Sequence, residues 1–141
     1  DKDNCVKIDN NTYELLRKVP LLIYSKETKE KLHQEVTNVM GMYDAMPTLG
    51  NMFNVKSDYQ LGTDIFSVDN DDNMVVFTDG SYLTSKIYYN GQNGDVYPIN
   101  QGDIVNQEYI DNYTKKANDI LEISNKIVVY NLLEKLEENK D

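Results

Sequence analysis

Two acidic groupings carry residue types that could do chemistry. Asp69, Asp71 and Asn73 alternate as the first ligands of an EF-hand calcium loop do, offering carboxylate and amide oxygens to a hard cation. The pattern then breaks: position six of such a loop is Met74 instead of glycine, and position twelve is Gly80 instead of glutamate. The stretch Asp69-Asn70-Asp71-Asp72-Asn73 therefore reads as a solvated turn. Asp79, Asp95 and Asp103 form the second grouping, a conceivable carboxylate set. Each stands beside a glycine, which is the mark of a turn. Cys5 is the one thiol, so no disulfide forms within the chain, and His33 is the one histidine. A Cys/His metal site is excluded by count, and any triad-type mechanism would have to use His33. That residue lies in the charged stretch 25–35, which reads as an exposed connection. There is no glycine-rich phosphate loop, Walker lysine or dinucleotide fingerprint. The two Asn-x-Thr sequons, at Asn10 and Asn112, are short enough to arise by chance. No catalytic, cofactor-binding or metal-binding residue is assigned.

The tyrosines are the remaining chemical feature. Eleven Tyr stand against three Phe, and Tyr82, Tyr88, Tyr89 and Tyr97 cluster in one region. They could build a sugar-stacking surface. The simpler reading is that Tyr fills half-buried strand positions well.

The elements that would position these residues follow from hydrophobic periodicity. Residues 1–12 read as a loose start and 13–18 as a short helical turn. Val19 to Tyr24 is a continuous apolar run, the pattern of a strand buried on both faces. Asp44 is the predicted N-cap of a helix with Pro47 in its first turn. Met46, Leu49, Met52 and Phe53 are its predicted buried stripe, and the helix should stop near Asn54. Ile65-Phe66, Met74 to Thr78, Ser81 to Tyr89 and Asp95 to Ile99 are the predicted strands of an antiparallel meander. Asp79-Gly80 is its strongest hairpin signal. Residues 104–137 read as two helices, with Tyr109, Tyr113, Ala117, Ile120 and Leu121 as one stripe and Ile127, Val128, Leu132 and Leu136 as the other. Ser124 is the predicted cap between them. The fold class is α/β, with α+β character in the C-terminal half.

Composition bounds the rest. The chain has 141 residues, 40% of them hydrophobic, enough for one domain of ordinary size. Its 14 Lys and Arg against 24 Asp and Glu leave a net charge of -10, which argues against a nucleic-acid partner. No apolar run approaches the roughly 18 residues that a membrane-spanning helix needs. The chain does not begin with Met and reads as a piece of something longer.

Three stretches, taken together, resemble a known family. Val19-Pro20-Leu21-Leu22-Ile23-Tyr24-Ser25, Tyr43-Asp44-Ala45-Met46-Pro47-Thr48-Leu49 and Leu61-Gly62-Thr63-Asp64-Ile65-Phe66-Ser67 are similar, in that order, to the C-terminal part of the sulfatase-like phosphoglycerol transferases. The closest likeness is to lipoteichoic acid synthases, of the alkaline phosphatase superfamily. Val75 to Thr84 resembles the family's next hairpin, and Leu121 to Ile127 its terminal helix pair. The likeness spans roughly residues 17–136. Gly50 departs from it, standing where the family has a large apolar residue, and Asn54 stands near the family's helix-ending glycine.

The resemblance implies that 1–62 end a large sulfatase-like α/β subdomain, the end of an alkaline phosphatase-like sandwich. It implies that 63–141 form a small subdomain of antiparallel sheet packed by C-terminal helices. It also implies a negative. The family's nucleophile and metal ligands lie upstream of the "VPL" strand, and this chain has neither an Asp-His pair nor the sulfatase C-x-P-S-R signature around Cys5. Asp44, Pro47 and Thr48 carry over only as helix-start residues. The parent is expected to use manganese or magnesium to transfer glycerophosphate from phosphatidylglycerol to a growing polymer, at the extracellular face of the bacterial membrane. This chain would be its non-catalytic scaffold, partnered by the upstream catalytic part. Two alternatives stay open: an extracellular polysaccharide-binding module, and a sulfatase or phosphatase of the same superfamily. A strand left without its neighbours would expose apolar area and invite self-association.

Overall fold

The computed structural model describes residues 18–24, 26, 35–55, 60–69, 71–100 and 102–138. Cys5, the sequon at Asn10, the helical turn at 13–17, His33 and Asn70 lie outside the described residues, as does most of the 25–35 connection. The chain divides into two compact units, Asp1–Thr37 and Asn38–Asp141. In the first, residues 18–24 form no regular secondary structure and are all exposed. Leu22 and Tyr24 expose 86% and 87% of their surface. The predicted strand is thus not formed: apolar side chains alone do not make a strand where no ladder partner takes up the backbone N–H and C=O groups.

The second unit is α+β. A 3-10 turn, Met42–Asp44, runs into helix α1, Ala45–Met52. A four-stranded antiparallel sheet follows, with β1 Met74–Val76, β2 Tyr82–Thr84, β3 Ile87–Tyr89 and β4 Val96–Pro98 in the order β1-β2-β3-β4. Helix α2, Gln107–Val129, and a short helix α3, Leu132–Glu138, complete it. No described helix is long and apolar enough to cross a membrane.

The meander has four strands, but two differ from the sequence reading. Ile65-Phe66 lies in a turn, where Ser67 N donates to the Asp64 carbonyl at 3.0 Å. The run Ser81 to Tyr89 is not one strand but two, paired Tyr82 to Tyr89 and Leu83 to Tyr88 across a two-residue turn, Ser85-Lys86. That turn contains no glycine. Instead the buried Thr84 hydroxyl closes it from inside, accepting from Lys86 N at 3.2 Å and Ile87 N at 3.0 Å. Asp79-Gly80 does turn β1 into β2, with Gly80 at φ +85.

Alternation along the strands puts Met74, Tyr82 and Ile87 on the face that meets α2. Tyr113 and Ala117 of α2 pack into them, and Tyr109 and Ile110 flank the cluster. Helix α2 begins at Asn106, whose side-chain oxygen accepts from Tyr109 N at 2.8 Å. It does not break at Ser124. Nothing between 107 and 129 is Gly or Pro, and an interior Ser lowers helix propensity by only about 0.5 kcal/mol. The break comes at Tyr130-Asn131, where Asn131 takes φ +49.

Helix α1 contains the largest surprise. Three of the four residues of its predicted core stripe face water, Met46 68% exposed, Met52 47% and Phe53 71%, and the fourth, Leu49, is half-buried. The buried residues are Asp44, Pro47 and Thr48.

Candidate functional site

Two of the stretches that carry the family resemblance, 43–49 and 61–67, meet in space. Asp44 is 1% exposed, and each oxygen of its carboxylate accepts a backbone N–H. Gly41 N donates to Oδ2 at 2.7 Å, and Thr63 N donates to Oδ1 at 2.8 Å. Thr48, also 1% exposed, donates its hydroxyl proton to the Asp44 carbonyl at 2.6 Å and accepts from Ile65 N at 3.2 Å. The D-x-x-P-T-L helix start and the G-T-D segment are therefore stitched together by two side chains that satisfy backbone groups of both.

The local sequence explains the arrangement. The expected N-cap bond from Asp44 into α1 does not form. A 3-10 turn precedes the helix, and the Ala45 N–H is taken by the Met42 carbonyl. Pro47, in the first turn, has no N–H to offer. The carboxylate turns back to Gly41 and across to Thr63 instead. Gly62 makes room for this. It adopts φ +94, and a Cβ there would lie 2.6 Å from the Tyr43 carbonyl oxygen and 2.8 Å from Asp44 Oδ1. Beyond it, Asp64 accepts from Asn51 Nδ2 at 2.7 Å, from Phe66 N at 3.2 Å and from the Ser67 hydroxyl.

Tyr43, which the sequence reading did not single out, fastens the same assembly to the sheet. Its hydroxyl accepts from Val76 N at 2.9 Å and donates to the Met74 carbonyl at 3.3 Å, filling part of the open edge of β1. Burial pushes the Tyr43 hydroxyl pKa up, opposed by the Val76 bond and helped by the negative Asp44. Asn73 Nδ2 donates to the Val39 carbonyl, adding a further tie between the residues before α1 and the start of β1.

Chemically this centre is closed. The Thr48 hydroxyl is engaged both as donor and as acceptor, and the Asp44 oxygens face backbone N–H groups. Its chemistry is that of a buried polar joint.

The other sequence candidates are dispersed. Asp71 accepts from the Ser85 hydroxyl at 3.0 Å, and the Asp71 carbonyl accepts from the Tyr113 hydroxyl at 2.6 Å. Asp79 accepts from Ser81 N at 3.0 Å, Asp95 from Asn93 Nδ2 at 2.7 Å, and Asp103 from Asn100 N at 3.0 Å. Asp79, Asp95 and Asp103 each close or brace their own turn, whereas Asp71 ties its turn to the one at Ser85 and to α2. No group of three or more His, Cys, Asp or Glu able to hold a metal occurs among the described residues.

Of the four meander tyrosines, Tyr82 and Tyr88 are buried and Tyr89 and Tyr97 are half-buried. Tyr82 and Tyr88 are 0% and 2% exposed, so neither can offer a ring face to a sugar. Tyr82 stacks on Tyr89 with centroids 4.8 Å apart and planes at 14°. Its hydroxyl donates to the Ile110 carbonyl at 3.1 Å. An open groove of about 410 Å³ runs along α2 past Tyr109, Asn112, Tyr113 and Lys116, with Lys116 Nζ 4.9 Å from the Tyr113 ring centre.

The stitch was only half legible. The resemblance gives Asp44, Pro47 and Thr48 a helix-start role and makes the G-T-D segment a mark of the family branch, but nothing in either segment announces that they bond to each other. No protein-family model matches the chain, and no curated protein or solved structure is similar to it.

Proposed function

We propose that this chain is the non-catalytic C-terminal part of a metal-dependent, sulfatase-like phosphoglycerol transferase of the lipoteichoic acid synthase type. The observation that carries the reading is the stitch itself. Two of the three stretches that resemble the family are the two that Asp44 and Thr48 join, a joint that closes on itself and holds no free reactive group. The outward apolar stripe of α1 is a second support: such a face suits a helix packed inside a larger subdomain.

On this reading the end of an alkaline phosphatase-like sandwich is completed here, and the small subdomain follows it. The nucleophile and the manganese or magnesium ion belong to the upstream catalytic part, which moves glycerophosphate from phosphatidylglycerol at the outer face of the bacterial membrane. A sulfatase or phosphatase of the same superfamily would use the same scaffold. The burial of Tyr82 and Tyr88 weighs against the polysaccharide-binding alternative.

The test uses the protein extended upstream. Thr48→Val should lower its thermal midpoint while kcat and KM, measured on folded protein well below that midpoint, stay unchanged. A kcat loss of a thousandfold at an unchanged midpoint would make Thr48 catalytic and end the scaffold reading.

A further inference from the structure

The loop between β3 and β4 holds both Asn-Gly dipeptides of the chain, Asn90-Gly91 and Asn93-Gly94. An asparagine before glycine is prone to lose its side-chain amide. The glycine has no Cβ, so its backbone nitrogen stands open to the side-chain carbon of the residue before it. The fold treats the two dipeptides unequally.

Asn90 is 1% exposed, and its Oδ1 accepts from Gln92 N at 2.9 Å. The nitrogen that would have to attack it, Gly91 N, donates to the buried Ser81 hydroxyl at 3.0 Å. Gly91 is also wedged against the β1–β2 turn, where a Cβ would lie 2.7 Å from the Gly80 carbonyl oxygen. Its backbone cannot swing toward the Asn90 side chain without displacing that turn.

Asn93 is exposed, and so are Gln92, Gly94 and Asp95 around it. Gly94 takes φ +79, and a Cβ there would meet nothing nearer than the Tyr89 hydroxyl at 3.9 Å. Asp95 N donates to Asn93 Oδ1 at 3.0 Å. That oxygen is the one on which negative charge gathers when the side-chain carbon is attacked, so the donor is already in place. Two bonds must open first: Gly94 N to the Asn90 carbonyl at 2.8 Å, and Asn93 Nδ2 to Asp95 Oδ2 at 2.7 Å. Both lie in a solvent-facing loop, where local opening costs little.

We propose that Asn93 is a site of spontaneous deamidation in the folded protein, and that the fold protects Asn90. Gly94 N gives up its proton and bonds to Asn93 Cγ. The bond from Cγ to Nδ2 breaks, and Nδ2 leaves with that proton as ammonia. The resulting succinimide takes up water at either carbonyl and opens to aspartate or isoaspartate. Either product loses the donor that Asn93 offers Asp95 and sets a second carboxylate beside it. Isoaspartate also lengthens the backbone of the loop that holds the edge strand β4 in register with β3.

Peptide mapping by mass spectrometry tests this on the whole chain, aged in mildly alkaline buffer, with fragmentation that separates aspartate from isoaspartate. Far-UV circular dichroism checks that the chain stays folded. Asn93 should convert at least about tenfold faster than Asn90, the factor that one buried bond to be opened accounts for. In urea, which frees Gly91 from Ser81, the two rates should become comparable. A smaller ratio in the folded chain, no conversion at Asn93, or a preference that persists in urea would overturn the proposal.

Discussion

Asp44 and Thr48 show how much of a short chain can hang on two polar side chains. Each is almost fully buried and each satisfies backbone groups that would otherwise be orphaned. Leaving a buried donor without a partner costs about 1–3 kcal/mol. Asp44→Ala strands two N–H groups and should destabilise by about 2–4 kcal/mol in urea unfolding. Thr48→Val should cost about 1–3 kcal/mol, whereas Thr48→Ser, which keeps the hydroxyl, should lose much less. Equal losses for Val and Ser would show that the hydroxyl bonds contribute nothing. These two residues were visible in the sequence as members of a motif. Their partners were not, because a backbone N–H at Thr63 or Ile65 leaves no trace in residue type.

At the scale of the element, sequence and structure agree at the end of α1 and at the Asp79-Gly80 turn, and part at the Asp44 cap bond, which does not form, and at Ser124, which lies inside α2. Helix α1 stops with Asn54 in the left-handed region at φ +54, as the sequence suggested. The Val55 N–H returns to the Gly50 carbonyl at 2.7 Å and the Asn54 N–H to Asn51 at 3.2 Å, a Schellman motif. Gly50, odd by family resemblance, has a local reason: a Cβ there would lie 2.5 Å from the Val55 carbonyl oxygen. Asn54→Gly should therefore stabilise by a few tenths to about 1 kcal/mol, and Asn54→Ala should destabilise by a similar amount. Thermal melts of the two variants, shifting in opposite directions, are the check. Asn106→Ala should cost about 1 kcal/mol by removing the cap of α2. Where the reading missed, the reason is also local. A two-residue turn without glycine is invisible when a buried threonine closes it, so Ser81 to Tyr89 looked like one strand. The periodicity of α1 reported which face is apolar, and it could not report which face is covered.

At the scale of the molecule, the core is held by hydroxyls as well as by apolar area. Tyr113 donates to the Asp71 carbonyl across 42 residues of sequence, and Tyr109 donates to Thr84 at 3.0 Å. Burial, with the neighbouring Tyr109 and the negative Asp72 and Asp71, pushes the Tyr113 pKa up to about 12. The fold thus favours the protonated phenol over an unfolded value near 10. Its contribution is complete below pH 10 and is lost as the pH climbs from about 10 to about 12. The urea midpoint should fall across that window, and Tyr113→Phe should flatten part of the fall. An identical pH profile in the variant would mean that other groups drive the alkaline loss.

The α+β class and the meander were legible because strand alternation and the Asp79-Gly80 turn are local signals. The joining of α1 to the G-T-D segment and to β1 was not, because it depends on contacts across 17 to 33 residues. The central claim is that this chain supports chemistry housed elsewhere. Manganese-dependent turnover of a fluorescent phosphatidylglycerol, measured on the 141-residue chain beside the chain extended upstream, tests it most directly. Turnover by the extended chain alone is the predicted result. Turnover by the 141 residues themselves would contradict it, and would place the reactive groups among the carboxylates between Asp69 and Asp79.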